Sequence, residues 1–527
     1  MSGTVRIHIE GIGSMDVPTD LNLREALRRE GIFLDGTCAD EGTCGRCVVR
    51  ILEGDAGSPS ASERGILGDE ALGRGDRLAC RIRPTGPLKL TIDPERILEV
   101  DRTGRWKGTW GSPLWDPARF PLSFTGWGIA VDLGTTSVAS ALFCLDTGRP
   151  MDILASSNPQ IPWGDEILSR LQAASGDPEQ ALKLREVLLA AVAGQIQSLC
   201  SRNGLFTGRI SRIVMVGNSA MHHLALGLPV APLLTPPFSP GYRDEMILGP
   251  AEFPLGIGLN HAAEIIFPAL VDGFVGSDAS AGILAVRSSR VLTGALLDIG
   301  TNSEAVVWKG DRIFAGSAAA GPAFEGGHIQ CGMRAEEGAV FQVKITGDAL
   351  ITEVVGGGAP RGMCGTGIVD LVAGMLDRGI IENSGLVRAD VHPSQSGKTM
   401  MLDPAGRVFF EPRDVETVQK TKAAIAATLE TLMKRADVSH DRLEEIYLAG
   451  AFGARLNLHN AIRIGLLPSR PELSFVLAGN TALIGASYVL LSREAQEEID
   501  GLAAAVQHVS IAQDPGFEDS FIDHLFF

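Results

Sequence analysis

Apolar and polar residues alternate through TVRIHIEG near the start of the chain, the period of a half-buried strand, and SMDVP is placed to pair with it as a hairpin. NLREALRREG then changes to a helical period, with Asn22 as N-cap, Glu25 three residues on and Gly31 as the stop. VVRILEG, GDRLACRIRP and LKLTID return to strand-like patterns, so this first part predicts a small mixed sheet crossed by a helix. Residues 94–126 lose any period. RWKGTWGSPLWDPARFPLSFTG is rich in Gly, Pro and aromatics and holds Trp106, Trp110 and Trp115, three of the six tryptophans. A flexible tether would be Gly/Ser-rich, so this segment is expected to pack, either on a neighbouring domain or on a second subunit. From Gly128 onward buried strands are followed by long helical stretches such as ALKLREVLLAAVAGQIQSL and VETVQKTKAAIAATLETLMKRA.

The chain of 527 residues has room for about three to four domains. Its 45% hydrophobic and 21% charged residues are ordinary for a globular protein. A formal net charge of -17 argues against nucleic-acid binding, which needs concentrated Lys and Arg. No apolar run approaches the roughly 20 residues that span a bilayer. MSGTVRIHIEG lacks the basic and apolar regions of a signal peptide. A cytoplasmic protein with no membrane partner is expected.

Half of the eight cysteines belong to one pattern: Cys38, five residues, Cys44, two residues, Cys47, then 32 residues to Cys80. Three thiolates on one loop with a distant fourth is how plant-type ferredoxins hold a 2Fe-2S cluster. Gly42 and Gly45 give that loop its backbone freedom. The alternative is structural zinc, but zinc ribbons bring two CxxC knuckles and this chain has one, Cys44 to Cys47. The metal ligands expected are Cys38, Cys44, Cys47 and Cys80.

GIAVDLGTTSVASALF (residues 128–143) reads as strand, tight turn and strand, and GALLDIGTNSEAVVW (residues 294–308) repeats the design. Each is followed by a long helix and a strand-and-glycine unit, RIVMVGNSAMHHL in the first half and EEIYLAGAFGARLN in the second, which marks an internal duplication. These segments resemble the superfamily of sugar kinases, actin and heat-shock chaperones over roughly residues 127–493. The resemblance implies two phosphate loops, at Gly134, Thr135 and Thr136 and at Gly300, Thr301 and Asn302, and an adenosine loop at Gly450 and Gly453. Asp132 and Asp298 would reach Mg2+ directly or through water, and Asp278, on the joining helix VGSDASAGILA, would orient the water that attacks ATP. Beside these, PRGMCGTG reads either as an anion site at a helix start or as a close-packed corner. Cys331 and Cys364 lack ligand spacing, and His222 and His223 read as packing or capping residues.

A cluster of this type sits near roughly -400 mV, too high to fill an acceptor of much lower potential unaided. About 59 mV corresponds to 1.4 kcal/mol for one electron, so an ATP-driven change can bridge an uphill gap of about one or two hundred millivolts. The whole chain resembles the ATP-dependent reductive activators of corrinoid proteins, through GNSAMHHL, GSDASAGILA, LLDIGTNSE, GPAFEGGHI, CGMRAEEGA, CGTGIVDL and the tail DSFIDHLFF. The resemblance implies an α/β multidomain chain: a β-grasp 2Fe-2S ferredoxin-like domain (1–93), a linker (94–126), two lobes of a duplicated actin-like, ribonuclease-H-like ATPase (127–290 and 291–493) and a tail (494–527). It further implies a corrinoid protein as partner, a cellular low-potential electron donor and a homodimer, with one electron passed to cobalt(II) to restore cobalt(I). Asp40 and Glu41 beside the cluster could steer a basic docking patch. An ATP-gated donor to another low-potential enzyme, a redox sensor that binds nucleotide, and a kinase carrying an accessory cluster stand as alternatives.

Overall fold

The computed structural model describes residues 4–10, 13–29, 33–34, 47–92, 97–100, 106–107, 119–164, 166–287, 291–300, 302–403, 405–453 and 456–527. At the start, the strands Thr4–Ile9 and Gly13–Pro18 form the expected hairpin. Thr4–Ile9 also pairs in parallel with Leu88–Thr91, which pairs in turn with Val48–Glu53, and Asp76–Leu78 closes the edge. The helix Leu23–Arg29 crosses this sheet, its Glu25 N–H donating to the Asn22 side chain at 2.8 Å; Gly31 lies outside the described residues. A parallel central pair flanked by antiparallel strands and crossed by a helix is the β-grasp arrangement expected.

A second helix, Ala61–Gly73, escaped the periodicity reading because its apolar face is weak and Gly68 kinks it with φ +72°. Ser60 and Glu63 start it with a reciprocal capping box. Glu63 is also wholly buried and ion-paired with Arg77 at 2.8 Å, while the Leu78 N–H donates to its carboxylate at 3.1 Å. Burial works against the ionised carboxylate. Bonds from Arg77, Ser60 and Leu78 outweigh it and hold the pKa below the ordinary Glu value.

The linker is not free of strands, contrary to its lack of period. Ile97–Val100 pairs with Phe33–Leu34 and with Trp106–Lys107. Pairs of two to four residues are too short to show a repeat in sequence. Its end, residues 119–126, packs as expected. Phe120 is buried against Tyr488, the Ser123 N–H donates to the Leu491 carbonyl at 3.0 Å, and Arg119 pairs with Glu498. Trp110 and Trp115 lie outside the described residues, and only the backbone of Trp106 lies within them.

The two lobes repeat one topology. In the first, the antiparallel run Arg149–Ser157, Ser137–Cys144, Trp127–Leu133 continues in parallel to Ile210–Gly217 and Glu264–Phe267. In the second, Arg312–Ala318, Ser303–Lys309, Thr293–Asp298 continue to Glu445–Ala449 and Ser474–Gly479. Both sheets thus have the strand order of a duplicated actin-like fold. Each carries one extra edge strand, Met246–Leu248 in the first and Val506–His508 in the second.

Between the sheets lie two helices, Ser277–Val286 and Thr481–Leu491, in a core drawn from both lobes that includes Ala130, Val214, Leu296 and Tyr447. Residues beyond 493 are part of this body: Arg493–Ala505 packs on the joining helix and Phe517–Asp523 on the long helix Pro412–Ala436. There the fully buried Lys422 donates to the Phe526 carbonyl and sits 5.1 Å from the Phe527 ring. Among the described residues no helix is long and apolar enough to cross a membrane.

Glu63→Ala leaves Arg77 buried without its partner and is expected to cost about 3–5 kcal/mol. Hydrogen exchange at Leu78 should speed up accordingly. Because the folded pKa of Glu63 is depressed, its contribution is present above the unfolded value of about 4.3 and disappears as pH falls through the folded value. The gap between variant and parent should therefore close on acidification; a gap that stays constant down to pH 2 would refute the ion-pair account.

Candidate functional site

Asp132 is the last residue but one of the strand Trp127–Leu133, and residues 134–136 form the turn after it. A side chain at Gly134 would come within 2.5 Å of the Ser137 carbonyl. Three residues from elsewhere hold the turn open. The fully buried Arg170 donates to the Thr135 carbonyl at 2.7 Å, Asn218 donates to the Thr135 hydroxyl at 3.0 Å, and Asn158 donates to the Gly134 carbonyl at 2.8 Å. With its carbonyls so occupied, the turn can present its remaining polar groups to a phosphate.

Asp298 ends the strand Thr293–Asp298, with Gly300 and the half-buried Asn302 in the turn beyond it; Thr301 lies outside the described residues. Gly450 lies against this carboxylate. Its φ is +81°, and an added Cβ would sit 2.7 Å from Asp298 Oδ1, so backbone conformation and space both require glycine. Gly450 and Gly453 bound a single helical turn, within which Phe452 stacks on Phe324 at 4.9 Å. Asp278 lies in the first turn of the joining helix Ser277–Val286.

These three aspartates meet in the cleft between the lobes. Burial raises Asp132 to about 7, with the Asp298 charge adding to the rise and a hydrogen bond from Asn480 at 2.8 Å opposing it. Burial, then the charges of Asp132 and Asp298, raise Asp278 to about 8. Burial and the Glu325 charge raise Asp298 to about 6. Two members were not singled out from sequence. Glu304 stands directly opposite Asp298 in the strand register, and burial with the three aspartate charges pushes its pKa well above the usual range. Glu325, in the short helix Ala323–Glu325, acts on Asp298. Both lay inside quoted segments, LLDIGTNSE and GPAFEGGHI, and placing Glu304 on the strand facing Asp298 was the available signal.

Like charges directly across a strand pair are destabilising. Carboxylates crowded at low dielectric suit a site whose occupant brings positive charge. Among the described residues no three His, Cys, Asp or Glu side chains form a ready-made metal cage. Both central helices also start at the cleft. Asn480 caps Thr481–Leu491, accepting the Leu483 N–H at 2.7 Å, and its amide is the donor to Asp132. The positive ends of two helix dipoles therefore face the space between the lobes, where they would favour an anion.

Of the cluster ligands, Cys47 and Cys80 are described and are brought to adjoining positions. Val48 pairs with Leu78, the Ala79 N–H donates to the Cys47 carbonyl at 2.9 Å, and the two residues are 2% and 5% exposed. Two buried cysteines from distant segments, brought to nearby backbone positions, suit the ligand set of an iron–sulfur cluster. Cys38, Asp40, Glu41, Gly42, Cys44 and Gly45 lie outside the described residues.

The remaining candidates resolve as packing. Gly365 and Gly367 press on the Phe324 and Val340 carbonyls, where an added Cβ would come within 2.1 and 2.3 Å, so PRGMCGTG is a close-packed corner. Cys364 lies 3.5 Å from the Val340 carbonyl and Cys331 lies 3.7 Å from that of Arg407. His222 and His223 are fully buried and hydrogen-bonded, to Tyr242 and Ser277 and to the Pro229 carbonyl respectively.

Comparison with known proteins agrees with this layout. A family model described as a 2Fe-2S iron-sulfur cluster binding domain matches residues 7–85. The RACo middle region matches residues 127–290, and the C-terminal domain of RACo, the ASKHA domain, matches residues 293–527. The corrinoid activation enzyme RamQ of Eubacterium limosum is 32% identical over 419 residues, covering 76% of this chain and 70% of that protein. The [Co(II) methylated amine-specific corrinoid protein] reductase of Methanosarcina barkeri is 26% identical over 435 residues, covering 76% of each. A solved structure of a reductive activator for corrinoid, iron-sulfur protein superposes with a TM-score of 0.70 at 25% identity, over 99% of this chain and 98% of that one. An iron–sulfur domain ahead of a nucleotide-binding ASKHA domain, with relatives alike over three quarters of the chain or more, places this chain in the family of reductive activators of corrinoid proteins.

Proposed function

We propose that this chain is an enzyme that reactivates a corrinoid protein, passing one electron to cobalt(II) at the cost of ATP and so restoring the cobalt(I) needed for methyl transfer. The observation that carries the ATP part is Asp298 facing Glu304 across the second phosphate turn, with Asp132 and Asp278 close enough for their charges to act on Glu304 as well. The corrinoid part rests on the relatives, whose names specify corrinoid activation and corrinoid protein reduction. When bound by Cys38, Cys44, Cys47 and Cys80, a 2Fe-2S cluster supplies a one-electron carrier of low potential.

Each residue of the cleft has a part in this reading. Asp132 and Asp298 hold Mg2+, directly or through water. Gly134, Thr135 and Thr136 take one set of phosphate oxygens and Gly300, Thr301 and Asn302 the other. Gly450 and Gly453 leave room for the adenosine. Asp278, whose carboxylate accepts the Ala279 N–H at 2.8 Å, orients the attacking water. Closure of the lobes about the two central helices converts nucleotide state into the shape offered to the partner.

The proposed division of the chain is 1–93 for the cluster domain, 94–126 for the linker, 127–290 and 291–493 for the lobes and 494–527 for the tail. The proposed partners are a corrinoid protein, a cellular low-potential electron donor and a second copy of the chain. The proposed location is the cytoplasm, where thiolate ligands stay reduced.

Four outcomes test the reading. Reduced protein mixed anaerobically with a cobalt(II) corrinoid protein should generate the cobalt(I) absorption band only with Mg-ATP. Asp298→Ala should abolish both that band and ATP turnover while leaving the cluster spectrum unchanged; survival of turnover would remove Asp298 from the Mg2+ site. Gly450→Ala should weaken nucleotide binding by at least about tenfold, a little over 1.4 kcal/mol, because the methyl group meets the Asp298 carboxylate. Finally, carboxyl groups with pKa values of about 6, 7 and 8 are partly protonated at pH 7 before a cation arrives. Mg-ATP binding should therefore release protons, seen as a buffer-dependent heat in calorimetry, and Asp132→Asn should reduce the release. Net proton uptake would contradict the site.

A further inference from the structure

Resting on the reading that the cleft hydrolyses ATP, we infer that His222 is a positioning residue for that reaction: through Ser277 it fixes the first turn of the joining helix, and with it Asp278, against the strand end that also holds the first phosphate turn. His222 belongs to the helix Ser219–Leu226 and has no exposed surface. Its Nε2 lies 2.8 Å from Ser277 Oγ and its Nδ1 lies 3.0 Å from the Tyr242 hydroxyl. Ser277 immediately precedes Asp278. Its hydroxyl accepts the Gly217 N–H at 3.2 Å and donates to the Gly217 carbonyl at 3.4 Å.

The strand end Gly217–Asn218 is thereby a junction. On one side the Asn218 amide holds the Thr135 hydroxyl of the first phosphate turn at 3.0 Å. On the other the Ser219 hydroxyl donates to the Val275 carbonyl at 3.3 Å, and Gly276 lies so close that an added Cβ would come within 2.2 Å of the Gly217 carbonyl. Phosphate turn and Asp278 are thus referenced to the same few backbone atoms, and His222 is the side chain that locks the second of them.

Burial and the neighbouring His223 push the His222 pKa down to about 3, so the ring is neutral across the working range, donating through one nitrogen and accepting through the other. Phe267 holds it edge-on at 5.1 Å. Any side chain of similar size would fill the volume. Spanning Ser277 and Tyr242 at once needs two polar atoms at opposite corners of a rigid ring. A hydrogen-bonded orienter behind a reacting group matters because a displacement of about 1 Å can cost on the order of 100-fold in rate.

The two amide substitutions separate positioning from filling. His222→Gln places a polar nitrogen where Nε2 stands and keeps the Ser277 contact; His222→Asn places one where Nδ1 stands and keeps only the Tyr242 contact. In the full-length protein, kcat for ATP hydrolysis should stay within about threefold of the parent for Gln and fall at least about tenfold for Asn, with KM for ATP and the thermal midpoint alike in both. Ser277→Ala should fall as Asn does, and the Ser277→Ala, His222→Asn double variant should fall no further. Equal losses in Gln and Asn, or no loss in either, would overturn the inference. Should the parent protein hydrolyse no ATP, the ATPase reading fails on its own. Hydrogen exchange over residues 275–280 then decides the positioning role: faster exchange in Asn but not in Gln supports it, and equal exchange overturns it.

Discussion

The cleft depends on one close approach, the crossing of the helices Ser277–Val286 and Thr481–Leu491. A Cβ at Gly485 would come within 2.0 Å of the Ala281 carbonyl, and one at Gly282 within 2.7 Å of Leu296 and 3.1 Å of the Thr481 hydroxyl. Only because those positions are glycine can the two backbones touch, and only then do the helices start close enough together for Asp278 and Asn480 to address the same space. The surrounding core takes side chains from both sheets, so the crossing is where the lobes are joined and where they would turn relative to each other. Larger residues there would wedge the lobes apart and separate Asp132 from Asp298 before any chemistry was touched.

Into that space the fold places Asp132, Asp278, Asp298 and Glu304, whose pKa values are raised by burial first and by neighbouring carboxylate charges second. Such an arrangement lowers the stability of the empty protein and is kept where an occupant of opposite charge restores it. The helix N-termini supply part of that compensation permanently, and in the proposed function a magnesium nucleotide would supply the rest. The buried polar groups around the cleft follow the same division. Arg170, Asn158 and Asn218 are satisfied by backbone and hydroxyl partners and shape the turn, whereas the acids face each other. The first group builds the site and the second waits for its ligand.

The N-terminal domain solves a different problem. Its small core must hold two cysteine-bearing segments in register, and the buried Glu63–Arg77 pair does this from behind, because Glu63 also accepts the Leu78 N–H two residues before Cys80. A buried pair of this kind adds little over a hydrophobic substitute, but it ties the helix Ala61–Gly73 to one particular strand position.

Much of this was legible in the residues. Alternation gave the hairpin, capping gave the helix after Asn22, and cysteine spacing pointed to Cys47 and Cys80 as neighbours. The doubled Asp-x-Gly turn announced two lobes because a strand–turn–strand unit is local, its pattern complete within about fifteen residues. The kinked helix at Ala61 and the short linker strands were not legible, since neither carries enough periodic signal to stand above loop. Nor was the membership of Glu304 and Glu325 in the acid cluster, for charge proximity is a property of register and of lobe packing rather than of spacing. His222 shows the division most clearly: its sequence neighbours mark it as an ordinary packed histidine, and it is packed. Only the tertiary structure, by bringing Ser277 to one ring nitrogen and Tyr242 to the other, turns it into the link between a strand end and Asp278, because those partners lie 55 and 20 residues away and no local pattern encodes their meeting.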